Sequence, residues 1–221
     1  TVIPTRVVAI DLLKHKPAHR CALGYTMEGP SGQRRLFAKT FAGDRGASIF
    51  VTMGAVSLAV ERESLIVPRP LGYFAGPRLL VTEFIDGVPL AAALYDGRDD
   101  SPALRSAQAI AALHDSKAVF TRRWSPLREA ANTAEWLRGL DVHAPRLATQ
   151  ARELLESLSR RGAQLPEPPD TAVHRDYYAD QVWDTGGRTA LRDLDDARGG
   201  DPAIDIGNFL AHLTLRSLQF P

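Results

Sequence analysis

The sequence predicts an α+β fold in which an N-terminal antiparallel sheet with one helix precedes a mainly helical remainder, with the chemistry gathered near the C-terminal end. Three observations predict it. Alternating apolar segments bounded by Gly and Pro turns fill the first third of the chain, and helical periodicity takes over after Asp100-Ser101-Pro102. Two acidic signatures then enclose a short hairpin between His174 and Asp195.

Residues 7–13, 20–27 and 35–41 read as three consecutive strands joined through Lys16-Pro17-Ala18-His19 and Gly29-Pro30-Ser31-Gly32. A helix of residues 47–60 follows Gly43-Asp44-Arg45-Gly46 and stops before the Pro68-Arg69-Pro70 breaker. Residues 68–73 and 77–84 complete the sheet and lead into Ile85-Asp86-Gly87-Val88-Pro89-Leu90. Ser101 is expected to cap the next helix, with Pro102 in its first turn. The spacing of Leu104, Ala107, Ile110, Ala111 and Leu113 gives that helix a buried face ending near His114, which reads as a core or helix-terminus histidine. Further helices are expected over 135–140 and 145–160, their arginines and glutamates forming solvated faces. Residues 165–170, rich in proline, read as a stiff connector to the first acidic signature.

A chain of 221 residues can be one large domain or two small ones and can bury a proper core. Its net charge of +1 provides no basic field for nucleic acid or an anionic membrane, so neither partner is expected. The single cysteine, Cys21, excludes an intramolecular disulfide and a multi-cysteine zinc site and favours a reducing compartment, taken as the cytoplasm. There is no transmembrane run, signal-peptide pattern, internal repeat or low-complexity tract. The chain starts at Thr1 and stops soon after the second signature, and is expected to be trimmed or partial.

The two signatures are His174-Arg175-Asp176-Tyr177-Tyr178-Ala179-Asp180-Gln181 and Arg192-Asp193-Leu194-Asp195. Moving a γ-phosphoryl group needs one carboxylate to orient and deprotonate the attacking hydroxyl and a second to hold the Mg²⁺ that neutralises the phosphate oxygens. Asp176 fits the first role and Asp193 the second. Short apolar strands at 181–183 and 189–191, around the turn Asp184-Thr185-Gly186-Gly187, form a hairpin that brings Gln181 towards Asp193. The Gln181 side-chain oxygen then serves as a neutral metal ligand beside Asp193.

These stretches resemble the catalytic and metal loops of the aminoglycoside phosphotransferase family, relatives of the protein kinases. That family reads His-x-Asp-x-x-x-x-Asn and then a metal-loop Asp followed by Asp-Pro-x-x-Asp. Asp176 matches the catalytic base and Asp193 the metal ligand, Gln181 stands where Asn is usual, and Asp201-Pro202-Ala203-Ile204-Asp205 matches the downstream element. The resemblance implies a protein-kinase-like two-lobed fold, with residues 1–85 as the nucleotide-binding N-lobe and 86–221 as a helical C-lobe. It makes Lys39 the lysine that reaches the nucleotide phosphates and Glu83, Phe84 and Ile85 the hinge whose backbone meets adenine. His174 is then structural, and Asp205 supports the catalytic loop by accepting its backbone hydrogen bonds. Arg175 receives no catalytic role, and Asp195 and Asp196 are expected to be solvated loop charges.

Two departures stand out. The first turn, His15-Lys16-Pro17-Ala18-His19-Arg20, lacks a glycine-rich phosphate cover, and the helix at 47–60 carries no glutamate to pair with Lys39. The resulting expectation is an ATP- and Mg²⁺-dependent phosphotransferase acting on a hydroxyl of a small molecule such as an amino sugar, sugar or aminoglycoside. The alternative is a nucleotide-binding, pseudokinase-like regulator without transfer activity. A polycationic drug requires clustered carboxylates; Asp96, Asp99 and Asp100 read instead as an exposed loop.

Overall fold

A computed structural model of the chain describes residues 6–166 and 171–220; residues 167–170 of the expected connector lie outside that range. Strands β1 (Arg6–Lys16), β2 (Arg20–Gly29) and β3 (Gly32–Phe41) run antiparallel, followed by helix α1 (Arg45–Ala59) and strands β4 (Pro70–Phe74) and β5 (Leu79–Glu83). The sheet order is β1-β2-β3-β5-β4. Gly29 pairs with Gly32 across Pro30 and Ser31, and Gly32 takes φ +95°, a conformation a side chain at that turn resists. The edge strand β1 is exposed along its length, so the core lies on the far side of β2 and β3. There α1 buries Ile49, Met53 and Val56 beside Phe41 and Leu80, each large side chain contributing roughly 1.5–3 kcal/mol.

After β5 come the short β6 (Val88–Pro89), α2 (Ala91–Asp96), α3 (Ser101–His114), and the antiparallel pair α4 (Pro126–His143) and α5 (Pro145–Gly162). Strand β7 (Thr171–Val173), the hairpin β8 (Val182–Asp184) and β9 (Thr189–Leu191), β10 (Arg198–Gly200) and α6 (Ala203–Gln219) complete the chain. β6 pairs with β8, and β10 pairs with β7. A Cβ on Gly87 would lie 2.3 Å from the Asp184 carbonyl oxygen, so only glycine lets β6 approach the hairpin. No described helix is long and apolar enough to cross a membrane.

The helical expectations need correction in three places. Ser101 is the first helical residue rather than the cap; the Asp99 carboxylate accepts from its N–H (2.9 Å) and its hydroxyl (2.5 Å). The buried face of α3 is Pro102, Ser106, Ala109, Ile110 and Leu113, while Leu104, Ala107 and Ala111 point to solvent. Small residues at 106 and 109 let α3 lie close to β7 and the β8–β9 hairpin, and a face of small residues is invisible to a count of large apolar ones. Helix α4 starts at Pro126, well before the expected 135, because Ser125 accepts a hydrogen bond from the Arg128 N–H (3.5 Å).

One apolar cluster joins the sheet to the C-terminal region. Val56, Leu65 and Leu80 meet Ile110, Leu113, Tyr177, Val182, Leu191 and Leu194 in it. The hairpin is tied to the chain after α1 by Ile66, whose N–H donates to Thr189 O (3.0 Å) and whose carbonyl accepts from Leu191 N (2.9 Å). The acidic loops therefore rest on a continuous core.

Candidate active site

β7 carries the chain into the core, and the loop that follows is fixed by one carboxylate. Asp205, in the first turn of α6 and fully buried, accepts from the His174 N–H (2.8 Å), the Arg175 N–H (2.7 Å) and His114 Nε2 (2.9 Å). Three donors offset the desolvation of that charge. His174 is itself fully buried, and its Nε2 lies 2.7 Å from the Arg192 carbonyl. A carbonyl only accepts, so Nε2 donates in that contact, and Nδ1 is buried without a hydrogen-bond partner among the described residues. His174 and Asp205 thus hold the loop, as the resemblance implies, and His114 belongs to the same support.

Beyond His174 the backbone turns through Arg175 at φ 69°, a left-handed conformation that redirects the chain so that Asp176 lines the cleft. Tyr177 returns to the core, stacking on Phe209 at 4.9 Å and donating its hydroxyl to Ser106 O at 2.6 Å. Burial pushes the Asp176 carboxyl above the usual carboxylate range; Asp193 and Asp196 add to the shift, and His174 opposes it. A half-buried acid of this kind is suited to accept a proton.

A tight turn at 179–181 leads into the hairpin, where the Arg192 N–H donates to Gln181 O (3.0 Å). The hairpin register therefore sets Gln181 opposite the residue before Asp193, as expected from the sequence. Gln181 Nε2 reaches Asp176 Oδ2 at 3.4 Å, leaving its amide oxygen as a lone-pair donor. Asp193 sits at φ 54° and turns its carboxylate towards the sheet.

Lys39 projects from β3 between Ala22 and Leu80, buried, with its ammonium 2.8 Å from Asp193 Oδ1 and 2.9 Å from Asp195 Oδ2. Burial pushes the Asp193 carboxyl up, but the charge and hydrogen bond of Lys39, with Arg20 behind, outweigh it and hold the group below the usual range. For Asp195 burial wins, Asp193 adds to it, and the carboxyl is raised. The expectation that Asp195 is a solvated loop charge is overturned: its side chain is only 8% exposed. α1 presents no acid to Lys39, and Asp195 pairs with it from the turn after β9. The spacing of Asp193 and Asp195 was the available signal, since a single tight turn carries both. Asp196 remains half exposed, near Arg45 (3.7 Å).

Lys39, Asp176, Gln181, Asp193, Glu83, Phe84 and Ile85 all line one cavity of about 430 Å³, with Ala22, Phe37, Met53, Leu80 and Leu194 as its apolar walls. Its size suits a small-molecule site. The Glu83 N–H is committed to Arg69 O (2.9 Å), and its carboxylate lies 3.2 Å from Arg62 and 3.5 Å from Arg69. Among the described residues no three acids, histidines or cysteines form a metal cluster. Asp193 and the Gln181 amide oxygen are nevertheless hard oxygen donors, and a pair of that type suits a cation that takes its remaining ligands from phosphate and water.

Comparison with known proteins bears on this cleft. Solved structures with the same fold include a thermostable mutant of aminoglycoside phosphotransferase APH(4)-Ia (TM-score 0.70, 18% identity, covering 91% of this chain and 72% of that one). They also include a choline/ethanolamine kinase family protein from Mesorhizobium loti (0.64, 20%, 91% and 63%) and a choline kinase from Streptococcus pneumoniae (0.60, 15%, 93% and 69%). The APH(4)-Ia mutants have been solved in ternary complexes with ADP or AMP-PNP and hygromycin B. No curated protein matches the chain in sequence. Residues 32–219, from the start of β3 to the end of α6, match the model of the APH phosphotransferase enzyme family, and the chain belongs to that family.

Proposed function

We propose that this protein is an ATP-dependent phosphotransferase that moves the γ-phosphate to a hydroxyl group of a small molecule. The observation that carries the reading is the meeting of Lys39, from the sheet, with Asp193, from the hairpin, beside Asp176 and Gln181 in one cleft. The nucleotide complexes of the APH(4)-Ia structures support it. In this reading residues 1–85 form the nucleotide-binding lobe, and the backbone at Glu83, Phe84 and Ile85 receives the base. Because the Glu83 N–H already serves Arg69, Phe84 and Ile85 carry most of that recognition.

Lys39 steadies the α- and β-phosphates as a point charge. Asp193 and Gln181 hold Mg²⁺, which neutralises the phosphate oxygens when bound. Asp176 orients the acceptor hydroxyl and takes its proton. The acceptor oxygen bonds to the γ-phosphorus, the bond from that phosphorus to the β–γ bridging oxygen breaks, and ADP leaves with the bonding electron pair.

Calorimetric titration with ATP, with and without Mg²⁺, tests the reading on the wild type and on Asp193→Ala. Mg²⁺-dependent binding that weakens in Asp193→Ala, with ADP release on adding a hydroxylated acceptor, is the expected result. Mg²⁺-independent binding without transfer to any acceptor would favour the regulator, and the absence of binding would sink both.

A further inference from the structure

A second cavity, of about 1280 Å³, shares Arg20, Asp176 and Asp195 with the Lys39 cleft, so the two adjoin at the proposed base. Its wall is cationic: Arg45, Arg122, Arg128, Arg175 and Arg198 all line it. Apart from Asp176, the carboxylates in the same wall are already engaged. Glu129 binds Arg175 (2.5 Å), Asp195 binds Lys39, Glu135 binds Arg138, and Asp196 lies between Arg198 (3.6 Å) and Arg45 (3.7 Å). Arg122 and Arg128 have no ion-pair partner among the described residues.

These arginines are held against their own repulsion. Arg198 is buried, and burial first, then the charges of Arg175 and Arg122, bring its guanidinium down to about 10. Arg122 is fixed beside it by backbone pairing, Gly199 N to Arg122 O (3.1 Å) and Trp124 N to Gly199 O (2.7 Å). Arg128 stands in the first turn of α4, the end of a helix where a cation is disfavoured. A wall of like charges, two of them without counter-charge, is the chemistry that receives an anion, and guanidinium forks match carboxylate and phosphate oxygens in pairs.

We infer that this cavity receives the acceptor, and that the acceptor carries an anionic group, phosphate or carboxylate, in addition to the hydroxyl it presents to Asp176. The inference rests on the phosphotransferase reading for the transfer itself, but its anion site stands on the arginines alone. Asp176 is the only residue of the proposed catalytic set, apart from the partner of Lys39, that faces both cavities, which makes the arginine cavity the side from which a hydroxyl reaches it. An amine-rich acceptor would meet repulsion along the same wall.

The test is calorimetric titration with inorganic phosphate, glucose 6-phosphate, gluconate, glucose and glucosamine, in saturating MgADP, on the wild type and on an Arg122→Gln/Arg128→Gln double variant. Both arginines are exposed, so the double variant keeps its fold, which its unfolding temperature checks. The expected result is binding of glucose 6-phosphate and gluconate at least about tenfold tighter than glucose or glucosamine, weakened about tenfold or more in the double variant. ADP affinity is expected to stay unchanged. Equal binding of the neutral, cationic and anionic sugars, no binding of any anion, or an anion affinity untouched by the double variant overturns the inference. Phosphate binding without glucose 6-phosphate or gluconate binding also overturns it, because the cavity then holds a free anion and not an acceptor. Failure of ADP to bind sinks the phosphotransferase reading instead, and the phosphate titration still reports on the arginines.

Discussion

Lys39 Nζ lies 2.8 Å from Asp193 Oδ1 although 154 residues separate them, and Asp195 completes the contact from the same turn. In this chain the lysine of the sheet is positioned from the turn after β9, because α1 has no acid to offer. The first turn of α1 contributes Arg45 instead, 3.8 Å from Asp195. Sheet and hairpin are therefore coupled through charge at the point where the phosphates of a nucleotide are proposed to lie.

Asp195→Asn keeps the shape of the side chain and removes the second carboxylate. Lys39 then has only Asp193, the residue proposed to bind the metal, and the two uses of Asp193 compete. The expected outcome is a KM for ATP raised about tenfold, with a smaller effect on kcat; a charge-assisted hydrogen bond contributes roughly 1.5–3 kcal/mol. Initial-rate kinetics at saturating acceptor measure it, and unchanged KM would show that Asp193 alone positions Lys39.

Asp205→Ala strips the acceptor from two loop amides and from His114 at once. Breaking a buried hydrogen-bonded charge costs about 3–5 kcal/mol, so unfolding in urea is expected to shift by that amount. Amide exchange at His174 and Arg175 should accelerate more than in the β8–β9 hairpin, which has its own hydrogen bonds.

Tyr177→Phe removes one hydroxyl and leaves the Ser106 carbonyl without its 2.6 Å donor. Its expected cost is about 1–2 kcal/mol of stability, with transfer rates near wild type, because the side chain points into the core away from the cleft. Chemical denaturation beside a turnover assay separates the two effects.

Much of this arrangement was legible in the sequence because turns and acids leave local marks. The three strands at the start and the hairpin around Gly186-Gly187 follow from short local patterns, and the supporting roles of His174 and Asp205 are what the family resemblance implies. What the sequence hid lies in three-dimensional meetings. Asp195 looked like any acid in a polar loop until the turn at Asp193 folded it under Lys39. Part of the buried face of α3 leaves no apolar mark, because Ser106 and Ala109 pack by being small. The arginine cavity draws on residues scattered from Arg20 to Arg198, and a net charge of +1 averages it away.

The hairpin that aligns Gln181 with Asp193 is braced by Asp184, which accepts from Arg105 (2.9 Å) and from the Gly187 N–H (2.8 Å). The Arg105 hydrogen bond first, then that of Gly187, pull its carboxyl down to about 2. A depressed carboxylate contributes stability that is complete above its unfolded value near 4 and is lost as pH falls towards 2. Solvent screening limits the contribution to about 1 kcal/mol. Thermal unfolding between pH 5 and pH 2 is expected to fall less steeply in Asp184→Asn than in the wild type.

Asp176 has the opposite sign. Burial, with Asp193 and Asp196 nearby, raises its carboxyl in the folded protein, so the native state binds a proton more tightly than the unfolded chain does. Its contribution to stability is then most favourable at low pH and is lost as pH rises through the folded value; at neutral pH the ionised group is a burden on the fold. Asp176→Asn removes that charge without changing its volume. The variant is expected to abolish transfer and yet to unfold about 2 °C higher than the wild type at pH 7, with the difference shrinking as pH falls and the folded carboxyl takes up its proton. Scanning calorimetry at the two pH values, with transfer assayed on the same preparations, decides it. A variant that is less stable at pH 7 would mean that Asp176 is held by interactions worth more than its desolvation, and its role as a poised base would lose its physical basis.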